Sequence, residues 1–198
     1  MKRTIVTGCS YSSDEWRQIA DLTWPTQADY ANRIGVSFLP LDMPPHPTRA
    51  ASWMKLACIA DAFVESDEVL WLDADVAVVD GSESLFDVVP DGFEMALASL
   101  KEADGDRHYN CGVWLLRRAS LPLLASVAMD DSCIGHKWWE QAAANKLANE
   151  KNTWTLGEEW NHWTGSPGEI APRFRHACGI RGPRRIEVIK GWVRECQQ

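Results

Sequence analysis

The first 80 residues alternate between short apolar runs and longer segments in which polar residues are frequent. The runs "TIVTGCS" (Thr4–Ser10) and "VSFLPLD" (Val36–Asp42) have the composition of strands. Between them, Asp14 can cap a helix that Pro25 interrupts, and a second helix fits Pro25–Gly35, which begins with proline and ends with glycine. The pattern therefore predicts a strand, two helices and a second strand.

The rest of the chain continues this alternation. A helix fits Arg49–Ser66, where apolar residues recur with a helical period, and the run "VLWLDADVAVVD" (Val69–Asp80) predicts the next strand. Other runs predict strands at Phe93–Leu100, Cys111–Arg118 and Arg185–Val193, and helices at Ser120–Asp131 and Lys137–Glu150. Strands that alternate with helices favour an α/β sheet with parallel crossover connections. Ligands of such sheets bind at the carboxyl ends of the strands, so we expect "GCSY" and "DAD" to line one crevice.

Two aspartates interrupt the most apolar strand. Asp73 and Asp75 have their side chains on one face if the strand stays regular, because side chains alternate along a strand. Carboxylates are costly to bury unless they are paired or bind a cation. Mg²⁺ and Mn²⁺ accept carboxylate oxygens together with phosphate oxygens. We interpret the pair as a clamp for a metal and a diphosphate; two surface aspartates in a turn are the alternative.

Composition and charge limit the classes of protein, ligand and compartment that fit the chain. The 198 residues suit one domain, and the net charge of −8 argues against a surface that binds nucleic acid throughout. The segment Arg173–Glu195 differs, with seven basic and two acidic residues and thus a net charge of +5. The six cysteines show no CxxC spacing, which argues against a structural zinc site. The start "MKRTIVTGCS" lacks the apolar core of a signal peptide, and no run suits a membrane span, so we expect a cytoplasmic protein with reduced thiols.

Several short motifs occur in a characteristic order along the chain. "MKL" (Met54–Leu56) lies in a predicted helix ahead of "LWLDADV", and "NCGV" (Asn110–Val113) follows about 40 residues later. "WWEQAAAN", "EWN" and "HACG" (His176–Gly179) come next. In this order the sequence resembles nucleotide-sugar-dependent glycosyltransferases of the GT-A fold, and among them the retaining galactosyl-, glucosyl- and glycogenin-like families.

The resemblance implies a fold and a set of ligands. The expected fold is a single GT-A (Rossmann-like) α/β domain over residues 1–198, with a mixed, mostly parallel central sheet flanked by helices. Residues 1–110 would form the donor half with the D-x-D motif, and residues 111–198 the acceptor half. Mn²⁺ or Mg²⁺ would be held by Asp73, Asp75 and His176, with Asp73 also near the donor ribose. The donor would be a nucleoside-diphosphate sugar, with a UDP-hexose expected.

The remaining site residues are assigned by the same resemblance. Lys55, and less strongly Arg49, would reach the diphosphate or a donor hydroxyl. The end of the first strand would hold the nucleoside, with Tyr11 stacking on the base. Asn110, Glu140 and Gln141 would act at the reacting sugar. The donor-binding residues in this assignment are Thr7, Cys9, Tyr11, Lys55, Asp73, Gly112, Gly179 and Arg181.

The C-terminal motif and the tryptophans leave alternatives open. The related families often have Lys-Pro three residues after the glycine of H-x-x-G, whereas Gly182 precedes Pro183 here, so Arg181, Arg184 or Arg185 would contact the phosphate instead. Trp138 and Trp139 are interpreted as helix-packing residues, of which one could face the acceptor. Trp160, Asn161 and Trp163 suit either an acceptor platform or loop packing.

The function inferred at this stage is transfer of a hexose to an acceptor hydroxyl with retention of configuration. The acceptor stays open among a glycan, a protein, a small molecule and a hydroxymethylated DNA base, and so does the oligomeric state. One alternative is a phosphatase or phosphotransferase of the haloacid dehalogenase type, which also uses D-x-D after an apolar strand. The other is a non-catalytic nucleotide-sugar-binding module of the same fold.

Overall fold

A computed structural model describes residues 1–10, 13–101, 107–164 and 170–196 of the chain. The strands are β1 (Arg3–Cys9), β2 (Ser37–Asp42), β3 (Glu68–Asp73), β4 (Val76–Val78), β5 (Met95–Lys101), β6 (Arg107–Arg117), β7 (Thr153–Leu156), β8 (His162–Trp163) and β9 (Phe174–His176). The helices are α1 (Asp14–Ile34), α2 (Met54–Ala62), α3 (Leu85–Val88), α4 (Leu121–Ala128), α5 (Trp139–Leu147) and α6 (Pro183–Glu195).

The strands form a large and a small sheet. The large sheet has the order β2-β1-β3-β6-β5-β7, in which β1 is parallel to β2 and β3, and β7 is parallel to β5. Strand β6 is inserted antiparallel between β3 and β5. The small sheet has the order β4-β9-β8. This arrangement confirms the predicted α/β class with a mixed, mostly parallel central sheet.

The apolar run of β3 is buried on both faces of the large sheet. Val69 and Trp71 pack in one cluster with residues of α2, α4 and α5, whereas Leu70 and Leu72 pack in another that includes Tyr30 of α1. The alternation follows from the strand period of two. A strand covered on both faces reads as a continuous apolar run, which explains the composition of this segment.

The first helical region is one helix, so the prediction of two helices separated at Pro25 is wrong. Helix α1 runs from Asp14 to Ile34 with Pro25 inside it. Its N-cap is Ser13, whose side chain accepts a hydrogen bond from the Trp16 backbone N–H, so the prediction of Asp14 as the cap is also wrong. The buried residues Ile19, Thr23, Gln27, Tyr30 and Ala31 form one stripe at helical spacing, and their packing holds the helix together across the proline.

The segment Arg185–Val193, predicted as a strand, lies in helix α6. Gly182 and Pro183 form a helix start, since proline is favoured in the first turn. Ile189 and Trp192, three residues apart, are buried against Ile19 of α1. Over nine residues, the apolar positions of "RIEVIKGWV" fit both the strand period and the helix period. The segment forms a helix because its apolar face packs against α1.

Helix α2 is shorter than predicted, because Met54–Ala62 follows a separate 3-10 turn at Ala51–Trp53. Helix α5 likewise covers only Trp139–Leu147 of its predicted range. No helix among the described residues is both long and apolar enough to cross a membrane. Strand β6 runs through residue 110, where the sequence predicts the boundary between the donor and acceptor halves. That division stays a prediction.

Candidate active site

The Asp-Ala-Asp segment forms a turn at the carboxyl end of β3. The strand ends at Asp73, and Asp75 lies in the turn before β4, so the two side chains are not related by strand alternation. Helix α1 holds this turn from the side: Thr23 donates to the Ala74 carbonyl, and the Gln27 amide donates to the carbonyls of Val76 (2.8 Å) and Asp73 (3.2 Å). Buried turn carbonyls are satisfied in this way, and the turn is held in one conformation.

The turn and strand β9 bring three predicted metal ligands together. The side-chain donor atoms of Asp73, Asp75 and His176 all lie within 4.8 Å of one another. His176 Nε2 lies 3.2 Å from Asp75 Oδ1 and 3.8 Å from Asp73 Oδ2. Two carboxylates and one imidazole suit Mn²⁺, and the mainly oxygen character also suits Mg²⁺. The residues therefore fit the expected cation.

A chain of buried amides orients His176. Nδ1 of His176 lies 2.9 Å from Asn161 Oδ1, and the Asn161 amide donates to Asn110 Oδ1 at 2.9 Å. The carbonyl oxygen of Asn161 therefore faces His176, so Nδ1 carries the proton and donates it. With Nδ1 protonated, the lone pair of Nε2 in the neutral ring points toward the two aspartates. A histidine that ligates a metal is commonly oriented by such a partner.

Gly112 leaves the space that His176 occupies. A Cβ on Gly112 would collide with the imidazole ring of His176 and with Asn110 Oδ1. The Gly112 backbone N–H also donates to Asn110 Oδ1 at 2.8 Å. The pairing of β5 with β6 shifts register at this point, from Leu97 opposite Trp114 to Ala98 opposite Asn110. Such a bulge re-aims side chains, and here it places Gly112 against His176 and Asn110 against Asn161.

Burial and neighbouring charges shift the pKa values of two ligands. Burial disfavours the charged form of Asp75, but His176 and Arg185 outweigh that effect and lower its pKa. Burial alone would lower the pKa of His176, but Cys178 and Asp75 raise it well above its usual value. Asp75 and His176 thus form a buried ion pair when no cation is bound. A bound cation would displace the proton on Nε2, since a metal ligand must be deprotonated.

Lys55 joins Asp73 to Glu140. Its ammonium nitrogen lies 2.9 Å from Asp73 Oδ1, 3.0 Å from Glu140 Oε1 and 3.3 Å from the Cys111 carbonyl. An ammonium group has three N–H donors, and all three have protein acceptors here. Burial opposes the charge of Lys55, but the two carboxylates raise its pKa above the usual value. Lys55 therefore stays charged and holds both carboxylates in place.

One carboxylate oxygen is buried without a partner. Glu140 Oε2 has no hydrogen-bond partner among the described residues, although Oε1 of the same group is held by Lys55. A buried charged oxygen without a partner is costly unless a ligand supplies one. Glu140 also lines the cleft that contains Asp73, Asp75 and His176.

These groups line a cleft of about 850 Å³ at the carboxyl ends of β1 and β3. Its wall includes Gly8, Cys9, Ser10, Trp16, Met43, Ala50, Ala51, Ser52, Lys55, Trp71, Asp73, Ala74, Asp75, Leu100, His108, Asn110, Lys137, Trp138, Trp139, Glu140, Gln141, Trp163, His176, Cys178, Gly179, Arg181 and Arg185. The volume lies within the range of small-molecule and cofactor sites. The position agrees with the expected crevice at the strand ends.

Comparison with solved structures decides the fold. No known family profile matches the chain, and no curated protein matches it. A glycosyltransferase involved in the glycosylation of the major capsid of PBCV-1 superposes with a TM-score of 0.79 and 17% identity, over 96% of this chain and 100% of the other. The chain has the GT-A glycosyltransferase fold. This confirms the fold that the motif order implied.

Other GT-A structures agree over nearly the whole chain. The galactosyltransferase LgtC, solved in complex with donor and acceptor sugar analogs, has a TM-score of 0.61 and 14% identity over 96% of this chain and 95% of its own. GlyE of Streptococcus pneumoniae TIGR4 has a TM-score of 0.61 and 17% identity, and the match covers 97% of this chain and 61% of GlyE. At such identities the likeness shows the fold.

The remaining predicted residues take several places in the GT-A cleft. Gln141 lines it and accepts the Cys111 backbone N–H at 3.1 Å, and Gly179 and Arg181 also line it. Cys9 lines it too, but burial raises the pKa of its thiol to about 11, which makes the thiol unreactive. Thr7 is fully buried within β1 and is not among the residues that line the cleft.

Three further assignments fall outside the cleft or outside the described chain. Tyr11, predicted to stack on the base, lies outside the described residues. Arg49 donates to the Ala128 carbonyl (2.7 Å) and to Asp131 (2.6 Å), and these contacts connect the loop before α2 to the end of α4. Arg49 is not among the residues that line the cleft, where the diphosphate was expected. Trp160 is buried and Asn161 is fully buried, and neither is among the residues that line the cleft.

Sequence reasoning missed the positioning role of Asn161 and the place of Trp16. Trp16 lies on α1, lines the cleft and stacks under the Arg185 guanidinium at 4.8 Å. No local motif marks Trp16, since a tryptophan in the first turn of a helix reads as packing. The "WN" step marks Asn161 as noteworthy, but its partners His176 and Asn110 are distant in sequence, so only the fold identifies its role.

Proposed function

We propose that this chain is a metal-dependent glycosyltransferase that moves a hexose from a nucleoside-diphosphate sugar, with a UDP-sugar as the expected donor, to an acceptor hydroxyl. The observation that carries the proposal is the convergence of Asp73, Asp75 and His176 within 4.8 Å in the wall of a large cleft. The GT-A fold supports it, since LgtC, a galactosyltransferase of that fold, was solved with donor and acceptor sugar analogs.

The donor diphosphate would lie between the metal ligands and the arginines. Asp73, Asp75 and His176 would hold Mn²⁺ or Mg²⁺, which supplies positive charge to a departing diphosphate. Arg185 Nη1 lies 3.9 Å from Asp75 Oδ2, and its Nε donates to the Ile180 carbonyl at 2.6 Å. This orientation presents the guanidinium to a phosphate at the same place. Arg185, together with Arg181, thus takes the role of the lysine common in the related families.

The reacting sugar would contact Glu140, Gln141 and Asn110. Glu140 Oε2 has an unsatisfied acceptor position for a sugar hydroxyl. Asn110 Oδ1 is occupied by the Gly112 N–H and by Asn161, so Asn110 would act toward the sugar through its NH₂ group. Lys55 positions Asp73 and Glu140 from behind. Catalysis then consists of positioning and of charge stabilisation, with retention of configuration as the expected outcome.

Neither rival function has an observation in its favour. A phosphatase of the haloacid dehalogenase type usually carries its D-x-D after the first strand, whereas Asp73 ends the third strand of this chain. A non-catalytic binding module of the same fold would keep the same three residues to hold a metal and a diphosphate, so donor turnover is what separates it from a transferase. Turnover distinguishes both rivals from a transferase.

The test is hydrolysis of the donor in the presence of Mn²⁺. The protein is incubated with UDP-glucose, UDP-galactose and UDP-N-acetylglucosamine, and free UDP is measured by mass spectrometry. We expect UDP release that EDTA abolishes and that Asp75→Asn lowers by at least about 100-fold, because the metal contributes several kcal/mol of charge stabilisation. Asp91→Asn is the matched control, since Asp91 is fully exposed in a surface loop.

Two results would contradict the proposal. Unchanged UDP release by Asp75→Asn would remove the metal site from the reaction. Release of inorganic phosphate from phosphomonoesters, without UDP release from any sugar donor, would favour the phosphatase.

A further inference from the structure

A tryptophan next to Glu140 is exposed in the cleft. Trp139 lines the cleft and retains 43% of its surface, whereas Glu140 retains 3%. Large aromatic side chains usually bury most of their surface. Trp139 therefore presents its indole to the cleft immediately beside the carboxylate assigned to the reacting sugar.

The backbone of Trp139 is strained. Its φ is +47°, and it is the only non-glycine residue with a positive φ in the described part of the chain. A bulky residue in this left-handed region costs free energy, and such residues cluster at ligand sites. Helix α5 begins at Trp139, and Trp138 before it has ordinary negative φ. The strain thus occurs at the first residue of α5, directly before the buried Glu140.

Neighbouring aromatic groups extend the surface around Trp139. Trp138 stacks on His108 with ring centres 4.2 Å apart and an angle of 19°, and Lys137 Nζ lies 4.2 Å from the same indole. Trp138, His108 and Trp163 line the same cleft. The cleft wall that includes Trp139 is therefore rich in aromatic side chains and also includes the ammonium group of Lys137.

We propose that Trp139 is the acceptor platform and that the acceptor is a pyranoside whose C–H face stacks on this indole. This inference rests on the proposed function and specifies the acceptor class of the same site. A pyranose has an apolar C–H face and a polar rim, which match an exposed indole in a cleft that His108 and Lys137 also line. Stacking on Trp139 would hold the acceptor in the same cleft as the proposed donor site.

The charges near the cleft favour a sugar over a nucleic acid. The basic segment Arg173–Glu195 suggested a phosphate-binding surface, but several of its cations are committed to protein groups. Arg173 pairs with Asp80 and Glu83, Arg175 with Glu195, and Lys190 with Glu187. A nucleic acid would need several cations available for its phosphates. A neutral sugar needs none.

The test is binding of simple sugars to Trp139 variants. Saturation-transfer difference NMR is recorded with methyl β-D-galactopyranoside, methyl β-D-glucopyranoside, lactose and maltose, in the presence of diamagnetic Mg²⁺ and UDP. We expect ring C–H signals from at least one of these sugars. Trp139→Ala should weaken that binding about tenfold or more, and Trp139→Tyr should retain most of it, since it keeps an aromatic face. Trp154→Ala is the matched control, because Trp154 is a 36% exposed tryptophan on β7 that is not among the cleft residues.

The outcomes separate this inference from the proposed function. Wild-type protein that releases UDP from a donor but binds none of the sugars would overturn the acceptor inference alone. The same holds if Trp139→Ala binds sugar as the wild type does, or loses affinity for UDP to the same extent. Binding of an oligonucleotide with hydroxymethylcytosine, in place of sugars, would assign the platform to a flipped base. Absence of donor hydrolysis, with sugar binding that depends on Trp139, would contradict the proposed function and show Trp139 as a sugar-binding residue without an acceptor role.

Discussion

At the scale of single residues, the hydrogen bond from Asn161 orients the His176 ring, with Nε2 toward the candidate metal site. Asn161→Ala removes the acceptor of Nδ1–H and the donor to Asn110. We expect the Mn²⁺ affinity to fall about 10- to 100-fold, because the imidazole loses its fixed tautomer and orientation. Free Mn²⁺ is measured by electron paramagnetic resonance during a titration of the protein, which needs no substrate or turnover.

The conservative variant Asn161→Asp distinguishes orientation from a purely structural effect. Asp keeps an acceptor for Nδ1–H, so the loss in Mn²⁺ affinity should be smaller than for Asn161→Ala. Equal affinity of Asn161→Ala and the wild type would show that Asn161 does not position the ligand. Circular dichroism at the titration temperature verifies that both variants are folded.

At the scale of elements, helix α6 provides the basic part of the cleft and begins at an unusual glycine. Gly182 has φ +62° and ψ −152°, a region that is essentially restricted to glycine. We expect Gly182→Ala to lower the free energy of unfolding by about 1–3 kcal/mol, because alanine is strained there. Urea unfolding followed by circular dichroism measures the change.

The same helix supplies a control of opposite sign. Gly191 lies inside α6, and a Cβ added to it meets nothing within 4 Å. Gly191→Ala should raise the free energy of unfolding by about 0.5–1 kcal/mol, since alanine has the higher helix propensity. A similar destabilisation by both substitutions would mean that the helix start does not depend on the conformation of Gly182.

At the scale of the whole molecule, the candidate metal site joins the two sheets. Asp73 ends β3 of the large sheet, and His176 ends β9 of the small sheet. A cation that binds only the folded chain stabilises it by about 2.7 kcal/mol at 100 times its Kd. For a chain of this size we expect the Tm to rise by about 5–10 °C. Differential scanning fluorimetry with Mn²⁺, with EDTA reversal, measures the rise, and an undiminished rise in Asp75→Asn would contradict the site.

The sequence by itself determined the α/β alternation, the apolar strand that leads to Asp73 and Asp75, and the order of the motifs. These features depend on local patterns: a strand covered on both faces reads as an apolar run, and Asp73 and Asp75 stand out because charge is costly in such a run. His176 could be assigned only through the resemblance, since a single histidine carries no pattern. The fold confirms the class of the sheet and brings the three residues together.

Only the tertiary structure decided the contacts between segments that are distant in sequence. The nine residues of "RIEVIKGWV" fit a strand or a helix, and docking onto α1 selects the helix. In the sequence, Lys55 is interpreted as a cation that binds a ligand. In the structure it binds Asp73 and Glu140, which lie 18 and 85 residues away along the chain, and it positions both carboxylates. The roles of Asn161 and Trp139 also depend on the fold: Asn161 is buried, whereas Trp139 is exposed. Their roles depend on which groups surround them, and long-range packing sets those surroundings.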